Sequence, residues 1–322
     1  MIDFDIIIVN WNTGHQLMKC LQSIALTCSV SILQLQQCIV VDNASTDGSA
    51  DGLEDLPIPL ILVRNQENKG FAYACNQGAK GSRSSNILFL NPDIQLFPDS
   101  LTEALLFFQE RQNERVGILG IQLVDEKGVI QRNVARFPTP RSLFPQMLGL
   151  DRLWPRRFPP HFMTDWDHRE SREVDQVTGA FFLVRKEVFE LLHGFDERFF
   201  MYFEDLDFAY RAKQAGWKSY YLADAQAFHQ GGGASNQVKA KRLAYVLGSR
   251  AQYVAKHFGR PAALAILSAS LGVEFPVRLG WCLVNLSGQN FIETLQAYGM
   301  FIKTLPRLLR ELKNRQRCTS LP

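Results

Sequence analysis

The chain has 322 residues, 46% hydrophobic and 21% charged, with a formal net charge of +3 at pH 7. That length and apolar content suffice for one substantial core plus an appendage, and so small a charge argues against nucleic acid as a partner. The six cysteines (Cys20, Cys28, Cys38, Cys75, Cys282, Cys318) contain no Cys-x-x-Cys pair and mostly sit in apolar runs, which points to reduced thiols in a cytosolic compartment.

The run 4–9 is apolar after Asp5 and ends at Asn10-Trp11-Asn12, so it reads as a buried strand closing in a polar loop. It begins almost at the N-terminus with no basic and apolar leader before it, and no signal peptide is expected. Asn12 or Thr13 can cap a following helix whose face carries Leu17, Cys20, Leu21 and Ile24. Further strands are predicted at 38–41, ending at Asp42-Asn43, at 60–63, leading to Asn68-Lys69-Gly70 and a helix over 71–80, and at 87–90, ending at Asn91-Pro92-Asp93. Strands alternating with helices imply parallel pairing and a sheet covered on both faces. Ligands of such sheets lie beyond the carboxyl ends of the strands, so Asn10, Asp42, Lys69 and Asp93 are expected at one crevice. Each also fits a plain role in a turn or cap.

Further along, 132–172 is rich in prolines and basic residues and reads as an irregular loop able to close as a lid. Three carboxylates, Glu204, Asp205 and Asp207, then fall within four positions among Phe200, Tyr202 and Phe203, at the start of a helix over 204–215. Acids are costly to desolvate, so the cluster needs a reason. Acids in a first turn suit the helix dipole, which lowers their pKa; crowding and aromatic neighbours raise it. A short strand at 217–222 precedes His229 and the glycine-rich loop 230–235. Beyond it, 237–258 reads as a basic helix and 261–286 as an apolar one, interrupted by Glu274, Pro276 and Arg278. That favours a segment lying in a membrane interface over one spanning it, aided by Lys303, Arg307, Arg310, Lys313, Arg315 and Arg317. A helical lid or a homodimer contact through the C-terminal helices fits the same pattern.

Four pieces, Ile8-Val9-Asn10-Trp11-Asn12, Val41-Asp42-Asn43-Ala44-Ser45-Thr46-Asp47-Gly48-Ser49, Asn68-Lys69-Gly70-Phe71-Ala72 with Asn76, and Leu90-Asn91-Pro92-Asp93, stand in order. With Thr178-Gly179-Ala180-Phe181-Phe182-Leu183-Val184-Arg185 and Gly194-Phe195-Asp196-Glu197 through Glu204-Asp205-Leu206-Asp207, they resemble family 2 of the inverting nucleotide-sugar glycosyltransferases, in particular its rhamnosyltransferase-like members. The resemblance covers residues 2 to about 235. It implies the α/β GT-A fold, a Rossmann-like, mainly parallel sheet flanked by helices, here with a C-terminal helical appendage. The catalytic domain would be 1–236, with a donor half over about 1–125 and an acceptor half over about 173–236, and the helical region 237–322.

By the same resemblance Asn10, Asp42, Asn43, Lys69, Gly70, Asn76 and Asn91 would hold the nucleotide sugar. Asp93 and His229 would hold Mg²⁺ or Mn²⁺. Asp205 would be the base, and Glu204, Asp196 and Gly179 would meet the acceptor. The family's Asp-x-Asp motif is here Asn91-Pro92-Asp93, which removes one carboxylate from the metal site. The implied reaction moves a sugar, first of all L-rhamnose from a thymidine-diphosphate donor, to a saccharide that is lipid-linked, in envelope polysaccharide synthesis at the inner face of the cell membrane. UDP- and GDP-sugar donors remain open, as does an inactive sugar-nucleotide-binding scaffold. An oxidoreductase is disfavoured because no Gly-x-Gly-x-x-Gly follows the first strand.

Overall fold

A computed structural model describes residues 1–28, 32–231 and 238–314, in two compact units. The first comprises residues 1–137, 162–200 and 204–231. Its strands are β1 (Ile2–Asn10), β2 (Leu33–Asp42), β3 (Leu60–Arg64), β4 (Asn86–Leu90), β5 (Ile94–Leu96), β6 (Val116–Val124), β7 (Val134–Ala135), β8 (Arg172–Val174), β9 (Gln176–Val177), β10 (Phe181–Arg185) and β11 (Lys218–His229). Its helices are α1 (Gln16–Thr27), α2 (Phe71–Ala79), α3 (Ser100–Gln109), α6 (Lys186–Leu191) and α7 (Glu204–Gln214). The second unit comprises 138–161, 201–203 and 238–314 and holds α4 (Pro140–Met147), α5 (Leu150–Leu153), α8 (Lys239–Phe258), α9 (Arg260–Ala269), α10 (Phe275–Val284) and α11 (Gly288–Asn314).

The main sheet runs β3-β2-β1-β4-β10-β6-β11-β5, with β8 also paired to β11. β1 through β4 are parallel, β10 is antiparallel to β4 and β6, and β11 is parallel to β6. β1 is buried on both faces, as its unbroken β-branched run requires, and its side chains alternate between two cores. Phe4, Ile6 and Ile8 pack with Leu17 and Leu21 of α1 on one face. Ile7 and Val9 pack with Ala72 and Cys75 of α2 on the other, where Phe89, Phe182, Phe195 and Phe208 form an aromatic cluster. Phe195 sits 4.9 Å from Phe89 and 5.1 Å from Phe208, centroid to centroid, and so anchors α7 to the sheet. Each such buried side chain contributes about 1.5–3 kcal/mol of transfer free energy.

Several expectations change. α1 begins at Gln16 with His15 in the cap position and no side-chain cap, because the Thr13 hydroxyl instead donates to Asn10 Oδ1 at 2.5 Å. The segment 132–172 is not one irregular loop. It contains β7, α4 and α5, and α4 is started by a capping box in which Ser142 N–H donates to Thr139 Oγ1 at 3.2 Å and Thr139 N–H to Ser142 Oγ at 2.9 Å. Residues 138–161 and 201–203 pack with the C-terminal helices rather than with the sheet unit. Glu274, read as an interruption, is 3% exposed and carries ion pairs to Arg250 and Arg278, the latter at 2.8 Å. The loop beyond Gly231, the boundary at 236–237, Arg315, Arg317 and Cys318 lie outside the described residues.

Candidate active site

The carboxyl ends of β1, β2 and β4 share one edge of the sheet, since Asn10 is in register with Asp42 and Ile8 with Leu90. β10 runs the other way and so brings its start there, Phe181 beside Leu90. β6 and β11 end at the same edge, and β5 starts there, with Ile94 opposite His229.

His229 Nε2 lies 3.4 Å from Asp93 Oδ2. The Nδ1 side of the ring meets Gln131 Oε1 at 2.7 Å, and Gln131 Nε2 donates back to the His229 carbonyl at 2.7 Å. A carboxamide oxygen can only accept, so Gln131 fixes the proton on Nδ1 and turns the Nε2 lone pair toward Asp93. Two lone-pair donors aimed at each other suit a shared cation. Mg²⁺ or Mn²⁺ needs more oxygen ligands than these, and among the described residues no group of three or more His, Cys, Asp or Glu side chains is placed to hold a metal ion. A cation placed between them would take only an imidazole and one carboxylate from the protein.

Across the same edge, Asn91 N–H donates to the Ala180 carbonyl at 2.9 Å, and Gly179 N–H donates to Asp205 Oδ2 at 2.8 Å. Asp205 Oδ1 accepts from Leu206 N–H at 2.7 Å, and Gln176 adds a side-chain bond. Burial pushes the Asp205 carboxyl up, and these donors oppose the rise because they bind the ionised form. Glu204 is 6% exposed and its Oε2 has no hydrogen-bond partner among the described residues. Burial first, then the neighbouring Asp205 and Asp207, push its pKa well above the carboxylate range. Both carboxyls are thus raised, Glu204 the more strongly, and Asp205 alone has donors from outside its own residue that oppose the rise. Asp207 is a third case, buried and ion-paired to Arg211 at 2.8 Å.

The amide residues expected to bind the nucleotide instead tie loops together. Asn10 is fully buried, and its Nδ2 group contacts Asp42 Oδ1 at 2.8 Å, Ser45 Oγ at 3.1 Å and Ser49 Oγ at 2.9 Å. Asn43 accepts from Asn65 at 3.1 Å and Lys69 N–H at 3.3 Å, and donates to Asn68 at 3.1 Å and the Gly70 carbonyl at 3.2 Å. Asn76 accepts from Phe195 N–H and donates to its carbonyl, both at 2.9 Å, so it clamps α2 to the loop before α7. Asn10 and Asn43 likewise have their amides engaged with neighbouring loops at this edge. Gly70 closely approaches the backbone at Phe200. It has φ +93°, and a Cβ there would meet Phe200 O at 2.6 Å. Asp196 is engaged by Arg198, whose Nε donates to it at 2.7 Å. Gly179 serves Asp205 through its N–H. Lys69 is exposed, its ammonium 5.0 Å from the Tyr73 ring centroid. Gln131 and Gln176 escaped the sequence reading, since neither stands in a recognisable pattern; Asn65 and Asn68 were visible only as part of an amide-rich loop.

A mainly parallel sheet in which β5, β8 and β10 run the other way, flanked by helices and carrying a carboxylate–histidine pair and a buried acid pair along its carboxyl edge, is the GT-A fold. Similar folds occur in the mannosyltransferase PcManGT from Pyrobaculum calidifontis in complex with GDP-Man and Mn²⁺ (TM-score 0.53, 15% identity, covering 94% of this chain and 86% of that one). Another is S. aureus TarS 1-349 in complex with UDP-GlcNAc (TM-score 0.53, 18% identity, 95% and 83%). Residues 5–192 match the profile of glycosyl transferase family 2, and the chain belongs to that family. It is a glycosyltransferase of the rhamnosyltransferase-like kind. Among its relatives is the N-acetylglucosaminyl-diphospho-decaprenol L-rhamnosyltransferase of Mycobacterium tuberculosis, 29% identical over 254 residues, which are 74% of this chain and 80% of the relative. The rhamnosyltransferase WbbL of Escherichia coli is 28% identical over 173 residues, 53% of this chain and 61% of the relative.

Proposed function

We propose that this enzyme transfers L-rhamnose, with inversion, from a thymidine-diphosphate donor to a hydroxyl of a polyprenyl-diphosphate-linked saccharide on the cytoplasmic side of the envelope. The relatives' activities support the sugar and the acceptor class. The chemistry rests on one observation, the Asp205 carboxylate fixed by the Gly179 amide on the sheet edge that also carries Asp93 and His229. Asp205 takes the proton of the acceptor hydroxyl as its oxygen bonds to the anomeric carbon. The bond from that carbon to the diphosphate breaks, and the nucleoside diphosphate leaves with the electron pair. Asp93 and His229 would hold a divalent cation, which would supply charge neutralisation for the departing diphosphate. Asp42, 3% exposed and accepting from Asn10 at 2.8 Å and Ser45 N–H at 3.3 Å, braces the loop that would receive the nucleoside, and the exposed Lys69 would reach the phosphates.

The test is product formation from a lipid-diphosphate-linked N-acetylglucosamine acceptor with dTDP-rhamnose, UDP-sugars and GDP-sugars offered separately, with NMR of the new anomeric centre. Rhamnosylation with inverted configuration is the expected result. Transfer only from a UDP- or GDP-sugar overturns the donor assignment, and donor binding without any transfer assigns the chain to the inactive scaffolds.

A further inference from the structure

The helical unit presents an apolar surface with no counterpart on an ordinary water-facing helix pair. Between Arg278 and Glu293 there is no charged residue. Trp281, Leu283, Val284 and Leu286, at the end of α10 and the turn after it, are 52%, 63%, 76% and 93% exposed. α10 contributes no fully buried residue at all. The surface continues along α11, where Ile292, Leu295, Ile302 and Leu309 are all exposed. Together with Gly299 and Pro306 they recur at alternating steps of three and four, which is one stripe of a helix. The opposite face of α11, with Ala297, Tyr298, Phe301, Leu308 and Leu312, is buried. α11 is thus apolar on two sides, and only one of them is used in folding.

Charge indicates the occupant. Lys303, Arg307 and Arg310 each stand one residue after a stripe position, about 100° around the helix, so a row of exposed cations borders the stripe, Arg307 sharing its charge with Glu311 at 2.9 Å. The acids of 239–314 are Glu274, Glu293 and Glu311 alone, and Glu274 is buried against Arg250 and Arg278. A second copy is a poor match. Gly299 and Pro306 offer no knobs to a helix seam, and the cation row would face its like. The stretch 260–284 is long and apolar enough to span a membrane by length and composition. Its middle is pinned inside the unit by Glu274 and by Ser270, whose Oγ accepts from Arg250 at 2.8 Å. An aromatic and aliphatic tip beside a basic row suits a surface that is greasy inside and anionic outside.

We propose that Trp281 to Leu286 and the exposed stripe of α11 dock into the headgroup region of a bilayer rich in anionic lipid. This rests on the surface alone and is independent of the transfer chemistry. The experiment is co-sedimentation of the full chain with phosphatidylcholine vesicles with and without phosphatidylglycerol, at low and high salt, alongside light scattering of the protein alone. Binding should require phosphatidylglycerol and weaken with salt. Leu283→Asn with Leu286→Asn should weaken it at least about tenfold with the circular dichroism unchanged. Arg307→Glu with Arg310→Glu should weaken it about 25-fold and remove the lipid preference. Protein that stays in the supernatant with both vesicles, or that binds equally after the apolar substitutions, overturns the proposal. A dimer that the apolar variant dissociates, without vesicle binding, gives the surface to a second copy.

Discussion

Replacing Gly70 by alanine tests whether the crevice wall is built as described. Gly70 has φ +93° and ψ +164°, a conformation nearly confined to glycine, and holding a side chain there costs about 1–3 kcal/mol. The added Cβ would also lie 2.6 Å from Phe200 O, 2.9 Å from Phe200 Cδ2 and 3.0 Å from its Cα. Two of those atoms are backbone and cannot rotate away, so overpacking adds roughly 1–3 kcal/mol. Lower entropy of the unfolded chain returns about 0.4–1 kcal/mol. The net loss should be roughly 2–5 kcal/mol, or a fall in Tm of roughly 5–15 °C for a unit of this size. Gly81 supplies the control, because it has φ +86° with nothing within 4 Å of its Cβ position, so Gly81→Ala carries the strain without the collision. Phe71 N–H donates to Phe200 O at 2.7 Å, so Gly70→Ala should also shift the start of α2 and weaken nucleotide-sugar binding. Thermal unfolding followed by circular dichroism reads the stability, and calorimetric titration reads the binding. A Gly70→Ala protein within 0.5 kcal/mol of the Gly81→Ala protein would refute the close approach.

Glu204→Gln should be tolerated and should stabilise the protein at neutral pH. The folded state raises the Glu204 pKa, so it binds more protons than the unfolded state from about pH 4.3 upward, and stability falls as pH rises through that window. The neutral isostere removes this dependence, and denaturation midpoints at several pH values that run parallel in both proteins would contradict a buried, protonated Glu204. Gln131→Ala frees the His229 ring from the acceptor that sets its tautomer. It should weaken Mn²⁺-dependent donor binding about 10–100-fold while leaving metal-independent binding unchanged; equal affinity with Mn²⁺ would remove Gln131 from the site.

The sheet was readable because buried parallel strands are continuous apolar runs that stop abruptly, as β1, β2 and β4 do at Asn10, Asp42 and Asn91. β6 carries the same signal over Val116–Val124, all of it buried, and it went unread because no motif stands beside it. Residue type told which side chains lie near the edge but not which way they turn. Asn10 and Asn43 turn into the scaffold because Ser45, Ser49, Asn68 and Gly70 arrive from 25 to 39 residues away, a distance at which local pattern carries no information. Asp93 was placed at the edge by the strand pattern and paired with His229 only by family motif, and their contact depends on β5 pairing with β11 across more than 130 residues. The acid pair was legible as a cluster, whereas the difference between its members depends on the Gly179 and Leu206 amides, which bond to Asp205 and not to Glu204.

The central claim is that Asp205 deprotonates the acceptor, and Asp205→Asn tests it by keeping the shape and removing the charge. Turnover of dTDP-rhamnose and acceptor should fall about 10²–10⁴-fold, while calorimetry gives an unchanged Kd for the nucleotide sugar. Wild-type turnover in that variant, or loss of donor binding equal to the loss of rate, would contradict it.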